Sequence, residues 1–223
     1  MSERWKKYFD SHGAFDQNWL GTAVAHWGFH ETLYGMISRH CPAPARILNV
    51  GSGPGWSELY LASIGYDVTG IDNEPSLVEL ARERASLIGV PAKFEVADAF
   101  DLSSFESKFD LVFSCGVLEH FDREVTVKLL KEQSRCAPYV VIEIPTKYTT
   151  YSGGITDERI YTVSQLASMV EDAGLKVIAK FGYGDLSATP MHIFARRFLP
   201  RAVLRFMQNR GYAYSIAVIG SRV

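Results

Sequence analysis

Three glycines on alternate positions, Gly51, Gly53 and Gly55, follow the apolar run Arg46-Ile-Leu-Asn-Val50 and precede Trp56 and a helical stretch. A strand-to-helix turn built of glycines allows backbone angles that a side chain forbids. It also lets a ligand lie against bare N–H groups at the helix N-terminus. A dinucleotide fingerprint, G-x-G-x-x-G, needs its third glycine at position 56. Trp56 stands there, and Gly55 comes one place early. That register speaks against a pyrophosphate ligand and for another nucleoside cofactor. Asp72 closes the second apolar run, where a carboxylate can accept both hydroxyls of a ribose; the bland reading is a helix cap. Asp98 closes the third, where a carboxylate and an adjacent N–H together can read adenine; the bland reading is again a turn or cap.

Fewer residues offer catalysis. His120 follows the fourth apolar run, and its ordinary pKa of about 6.5 suits a general base. The competing reading is a structural histidine that shapes the pocket. Glu119 reads better as a carboxylate at a helix N-terminus. His26 and His192 are further pocket candidates, and Tyr148 and Tyr151 are candidates for substrate contact. Trp19 and Trp27 are either lids over a cofactor or parts of an aromatic core helix.

The elements that must position these groups alternate along the chain. Residues 1–45 are aromatic-rich and read as a helical cap, ended by the Pro-punctuated connector Cys41-Pro-Ala-Pro-Ala45. Strands are predicted at Arg46–Val50, Asp67–Ile71, Ala92–Val96, Phe109–Ser114, Tyr139–Ile144, Leu175–Phe181 and Ala213–Gly220. Helical runs lie between them. Asp72-Asn73-Glu74-Pro75 reads as a helix start, with Pro75 in the first turn. Thr162-x-x-Gln165 reads as a capping box, flanked by Tyr161 and Leu166 as a hydrophobic staple, and Gly174 ends that helix. Apolar strands alternating with helices imply a parallel sheet covered on both faces, with ligands at the carboxyl ends of its strands. The expected organisation is one domain over 1–223: a cap at 1–45, a cofactor-binding core at 46–181, a cap or insert at 182–212 and a last strand at 213–223.

Composition sets the outer bounds. The 223 residues carry a net charge of −2, with 47% hydrophobic and 22% charged residues, as in an ordinary globular protein. Between Leu186 and Val223 there are no acidic residues but six arginines, so a basic end sits on an acidic body. Segment 194–211 reads as an amphipathic helix interrupted at Pro200. Its arginines are a solvated face, an attraction for an anionic substrate, or a weak membrane-surface contact. Cys41, Cys115 and Cys136 lack metal-ligand spacing, and no apolar run reads as a signal or a membrane span, so a cytoplasmic protein without a metal is expected.

Taken together, Ile-Leu-Asn-Val-Gly-Ser-Gly-Pro-Gly-Trp (47–56), Gly-Ile-Asp-Asn (70–73), Val-Ala-Asp-Ala (96–99), Phe-Asp-Leu-Val-Phe-Ser-Cys-Gly-Val-Leu-Glu-His (109–120) and Val-Val-Ile-Glu-Ile-Pro (140–145) resemble class I S-adenosylmethionine-dependent methyltransferases. The likeness is to the small-molecule branch that includes quinone-biosynthesis enzymes. It implies an α/β, Rossmann-like, mostly parallel seven-stranded sheet with an antiparallel last strand and helices on both faces. It implies S-adenosyl-L-methionine as cofactor and S-adenosyl-L-homocysteine as product. Gly51, Ser52, Gly53 and the nearby backbone would hold its methionine part, Asp72 the ribose, Asn73, Asp98 and Ala99 the adenine, and Ser114 and Cys115 the sulfonium end. Asn49 departs from the acidic residue the family commonly has there; an amide still accepts a hydrogen bond but removes a negative charge near the sulfonium.

The implied activity is methyl transfer to O, N or C of a small-molecule acceptor. The alternatives are a non-catalytic S-adenosylmethionine-binding protein or partner subunit on the same fold, an NAD-type oxidoreductase, or a different reaction such as a cyclisation. No Asn-Pro-Pro-Tyr-type motif follows the fourth strand, and the charge balance disfavours a nucleic-acid partner. The sequence is silent on the acceptor and on the oligomeric state.

Overall fold

The computed structural model describes residues 2–148, 158–184, 194 and 197–222. Three helices come first: α1 (Ser2–Ser11), α2 (Trp19–Phe29) and α3 (Glu31–His40). Strands and helices then alternate: β1 (Arg46–Val50), α4 (Trp56–Ser63), β2 (Asp67–Asp72), α5 (Pro75–Ile88), β3 (Lys93–Val96), β4 (Leu111–Cys115), α6 (Arg123–Cys136), β5 (Tyr139–Pro145), α7 (Val163–Asp172) and β6 (Lys176–Tyr183). Helix α8 (Arg201–Gln208) and strand β7 (Ser215–Ser221) complete the described chain.

The seven strands form one sheet in the order β3-β2-β1-β4-β5-β7-β6. Strands β1 to β5 pair in parallel, and β7 runs antiparallel between β5 and β6. The order reverses between β1 and β4, which opens a crevice at their carboxyl ends. The seven expected strands are all present, with bounds that differ by one or two residues at several ends. The last begins at Ser215 rather than Ala213, because the Tyr214 and Ala213 carbonyls turn to accept from Thr146.

Local chemistry explains where the helices begin. Glu74 caps α5 by accepting from the Ser76 N–H, and Pro75 occupies a first-turn position where no N–H is needed. Thr162 and Gln165 form the reciprocal capping box of α7. Pro200 precedes α8, which is where the arginine-rich segment was expected to break.

Period-two alternation sorts each strand onto two faces. Ile47, Val68, Phe113, Val141, Ala217 and Ile219 pack under α3 with Leu33, Tyr34 and Ile37. Val140, Ile142 and Val218 face the other way, against Leu129 and Leu130 of α6 and Leu166 and Val170 of α7. At the carboxyl ends of the strands the first of these faces turns polar: by the same alternation Asn49, Cys115, Glu143 and Ser215 stand in line with Ile47, Phe113, Val141 and Ala217. An apolar layer there would satisfy the fold, so the polar one points to the site.

Candidate functional site

The glycine turn is held by its backbone. Gly51, Gly53 and Gly55 all have positive φ, at 82°, 52° and 80°. A methyl group added to Gly55 would lie 2.7 Å from Cβ of Ala81 and 2.8 Å from the Phe94 ring. One added to Gly53 would meet the Phe9 ring at 2.7 Å, and one on Gly51 would meet Val117 at 2.5 Å. The turn is therefore not bare, as the sequence suggested. Phe9 from α1 and Val117 from the loop after β4 cover it.

Asp72 ties the turn to the second strand. Its carboxylate accepts from the Gly53 N–H at 2.9 Å and the Glu74 N–H at 3.0 Å. Burial raises its pKa, against the pull of those bonds. Each oxygen keeps a lone pair for a further donor. Asn73 is exposed beside it. Asp98 is exposed too and accepts from the Phe100 N–H at 3.0 Å, the turn role weighed above, while Ala99 is half-buried against two core clusters.

A buried pair lies behind the turn. Asn49 donates through Nδ2 to Oε1 of Glu58 at 2.7 Å, and Glu58 is fully buried on α4. Burial pushes the Glu58 carboxyl up to about 8. Gly70, directly opposite Asn49 on β2, has no side chain because Glu58 Oε1 would sit 2.5 Å from its Cβ. Asn49 Oδ1 and Ser52 Oγ are buried and have no protein partner.

Both residues belong to the wall of a cavity of about 630 Å³ at the switch point. The glycine turn contributes Gly51, Ser52 and Pro54; α1 contributes Trp5, Tyr8 and Phe9; α2 contributes His26 and Phe29. The ends of β4, β5 and β7 supply Cys115, Glu143 and Ser215, and the loop after β4 adds Glu119 and His120. His120 sits edge-on to Trp5, with ring centroids 4.8 Å apart, and its Nε2 lies 3.9 Å from Oε1 of Glu119.

Several expected residues lie elsewhere. Ser114 is buried on the opposite face of β4, where its hydroxyl takes a 3.3 Å bond from Gln133. Alternation forbids it from sharing the cavity with Cys115. Trp27 donates to the Trp56 carbonyl at 2.6 Å, and Trp19 stacks on the guanidinium of Arg84 at 4.4 Å, so both are packing residues outside the cavity wall. Tyr148 stacks on Tyr212, also away from the wall. Tyr151 and His192 lie outside the described residues.

Other groups were not anticipated. His30, one turn after His26, lies on the cavity wall with its Nδ1 2.8 Å from the His26 carbonyl. Burial lowers both histidines, His30 to about 4. His26 Nε2 reaches Ser57 Oγ at 3.2 Å, and Ser57 in turn meets the Tyr34 hydroxyl at 3.0 Å. The i, i+4 spacing of His26 and His30 was the available signal. Glu143 is 5% exposed, and burial pushes its carboxyl up to about 7, partly offset by bonds from Ser215 and Gly116.

Comparison with known proteins agrees with this geometry. Residues 47–137 match a family described as a methyltransferase domain. A ubiquinone biosynthesis O-methyltransferase of Paramagnetospirillum magneticum is 42% identical over 97 residues, covering 44% of this chain and 36% of the relative. A 2-methyl-6-phytyl-1,4-hydroquinone methyltransferase of Synechocystis is 38% identical over 110 residues, covering 48% and 32%. The chain thus aligns with about a third of the length of these relatives. Among solved structures, magnesium protoporphyrin IX methyltransferase from Synechocystis PCC 6803 with bound S-adenosylhomocysteine superposes with a TM-score of 0.66 at 17% identity, covering 99% of this chain and 94% of that one. Residues 47–137 thus resemble methyltransferase domains, and the sheet around them has the fold of the solved methyltransferase.

Proposed function

We propose that the protein transfers a methyl group from S-adenosylmethionine to O, N or C of a small-molecule acceptor. The observation that carries this reading is the pair of buried, unpartnered polar atoms Asn49 Oδ1 and Ser52 Oγ. Both residues belong to the wall of the cavity that the glycine turn helps to line, and Asp72, outside that wall, ties the turn to β2 through the Gly53 N–H. Buried polar atoms without partners are costly, and a polar ligand at that spot satisfies them. The residues present fit the cofactor. Asn49 and Ser52 would take its amino-acid part and Asp72 its ribose. Asn73, Asp98 and Ala99, which lie outside the cavity wall, would take its adenine, and Cys115 on the wall would lie toward the reacting end.

The cofactor supplies a methyl group already activated on a sulfonium. What remains for the chain is to hold the acceptor in line and to exclude water. Trp5, Tyr8, Phe9, Phe29 and Trp56 make an apolar wall suited to a flat acceptor. Asn49 keeps the cofactor side neutral, and Glu58 behind it stays largely protonated below about pH 8, so the charge lost at position 49 is not restored. His120 is placed to shape the acceptor site or to accept a proton.

Two features concern the setting. Phe194, Phe198, Val203 and Phe206 are exposed around an arginine-rich helix, an arrangement suited to weak contact with an anionic membrane surface. Sedimentation with vesicles of anionic and neutral lipid tests it. Among the described residues no helix is long and apolar enough to cross a membrane. The three cysteines are unpaired, which suits the reducing cytoplasm.

Calorimetric titration with S-adenosylhomocysteine tests the cofactor assignment. The wild type should bind, and Asp72→Ala should weaken binding by about ten-fold to several hundred-fold, the loss of one or two charge-assisted hydrogen bonds. Unchanged affinity in a folded Asp72→Ala variant refutes the assignment.

A further inference from the structure

We propose that Glu143 receives the acceptor's proton, and that the acceptor is a neutral or cationic molecule whose nucleophile is an O–H or N–H. This deepens the methyltransferase reading and rests on it.

The argument begins with the sheet. Glu143 pairs with Cys115 across β4 and β5 and with Ala217 across β5 and β7, so its side chain rises from the middle of the polar layer into the cavity. A carboxylate at the centre of a seven-stranded sheet is expensive to bury. Its partners, Ser215 and Gly116, satisfy only part of its bonding capacity. The groups that face it are Cys115 on β4, Tyr183 on β6 and Tyr214 beside β7, and Glu119 lies near Cys115 on the same wall. Across the cavity stand Tyr8, His26, His30 and Glu158. Among the described residues of the wall there is no Lys or Arg, while Glu119, Glu143 and Glu158 are all acidic. The described wall therefore offers an anionic acceptor no lysine or arginine of its own.

Protonation separates the candidate bases. A base serves best when its pKa lies near the working pH. Burial holds Glu143 near 7, whereas His30 falls to about 4 and is too weak a base to draw a proton. The neutral histidines instead offer lone pairs that orient an O–H or N–H.

The step balances without a further reagent. The acceptor's O–H or N–H bond breaks toward the Glu143 carboxylate, and the freed pair forms the bond to the methyl carbon. The carbon–sulfur pair remains on sulfur. The sulfonium charge and the carboxylate charge vanish together, which a poorly solvated cavity favours.

The experiment uses the full chain with three probes: catechol, benzylamine and 3,4-dihydroxybenzoate. Titration with S-adenosylhomocysteine comes first; if the wild type fails to bind it, the methyltransferase reading falls and this proposal with it. In protein that binds, catechol or benzylamine should be methylated, with the carboxylated probe at least about ten-fold poorer in kcat/KM. Glu143→Gln should lower kcat about 100-fold with KM and the product's Kd little changed. It should also remove the limb of the pH profile that rises through about 7. Carbon-13 NMR of the glutamate carboxyls should show a titration near 7 that is missing in Glu143→Gln. Three results overturn the proposal: a Glu143→Gln variant with wild-type kcat and pH limb, a preference for the carboxylated probe, or no turnover of any probe by protein that binds S-adenosylhomocysteine. Loss of the limb in His120→Asn and its retention in Glu143→Gln would move the role to His120.

Discussion

Two regions of the site, the glycine turn with the strand ends behind it and the cavity wall of α1, α2, β5 and β7, are built by different means. On the side of β1, β2 and the glycine turn, backbone does most of the positioning. Three positive-φ glycines, Asp72 accepting from two backbone N–H groups and Gly70 beneath Glu58 leave little freedom. On the side of α1, α2, β5 and β7, the wall is made of side chains from segments far apart in sequence: Trp5, Phe29, Glu143, Tyr214. The first half tolerates almost no change at its turn. The second can be altered residue by residue, which is what a varied acceptor requires.

The largest effect should fall on the backbone-built half. Gly55→Ala forces a side chain into the left-handed region, at about 1–2 kcal/mol, and drives a methyl group against Ala81 and Phe94, at about 1–3 kcal/mol more. A loss of about 2–5 kcal/mol in urea unfolding is expected. A variant within 1 kcal/mol of wild type would show that the turn is softer than its contacts suggest and would erase the contrast.

That contrast also decides what could be read in advance. Turn, strand ends and the helix starts at Glu74 and Thr162 are local patterns, and most of the sheet followed from them. Glu143 was visible only as part of an apolar strand motif, because nothing local tells a buried glutamate at a cavity from one at a strand end. Phe9, His30 and Glu158 reach the cavity only through tertiary packing. Trp19 stayed open between a lid and a packing residue because its partner, Arg84, sits on α5, and sequence spacing gives no hint of that stacking. Ser114 and Cys115 were taken together, although strand alternation already separates their faces.

A second, smaller effect probes the buried pair behind the turn. The Glu58 carboxyl is at about 8 in the folded chain against an ordinary 4.5. A raised acid means that the folded state holds the proton more tightly. Stability from this group is therefore complete below about pH 4.5 and is lost as the pH rises toward 8. Each pH unit in that window costs at most about 1.4 kcal/mol. Glu58→Gln cannot ionise and still accepts from Asn49 through Oε1. Relative to wild type it should gain on the order of 3 kcal/mol between pH 5 and pH 8, read from urea midpoints at the two values. A constant difference across that range would mean that Glu58 is ionised in the folded protein and that the cofactor side carries the charge which Asn49 removed.

The smallest effect tests whether local patterns matter as much away from the turn. Thr162 caps α7, whose apolar face packs beneath β5 and β7 on the side opposite the cavity. Its hydroxyl oxygen accepts from the Gln165 N–H at 3.2 Å, and the Gln165 side chain returns a bond to the Thr162 N–H at 2.8 Å. Thr162→Ala removes the first bond and the one its hydroxyl donates to Gln165 Oε1 at 2.9 Å, and leaves Tyr161 and Leu166 in the apolar cluster. The expected cost is about 1 kcal/mol, or a few degrees in Tm for a chain of this size. Affinity for S-adenosylhomocysteine should stay unchanged, because α7 supports the sheet from below and contributes nothing to the cavity wall. A Thr162→Ala variant that weakens cofactor binding as Asp72→Ala should would couple α7 to the turn through β5 and β4. The two halves would then be one cooperative unit, and the division drawn between backbone-built and side-chain-built walls would describe their construction but not their energetics.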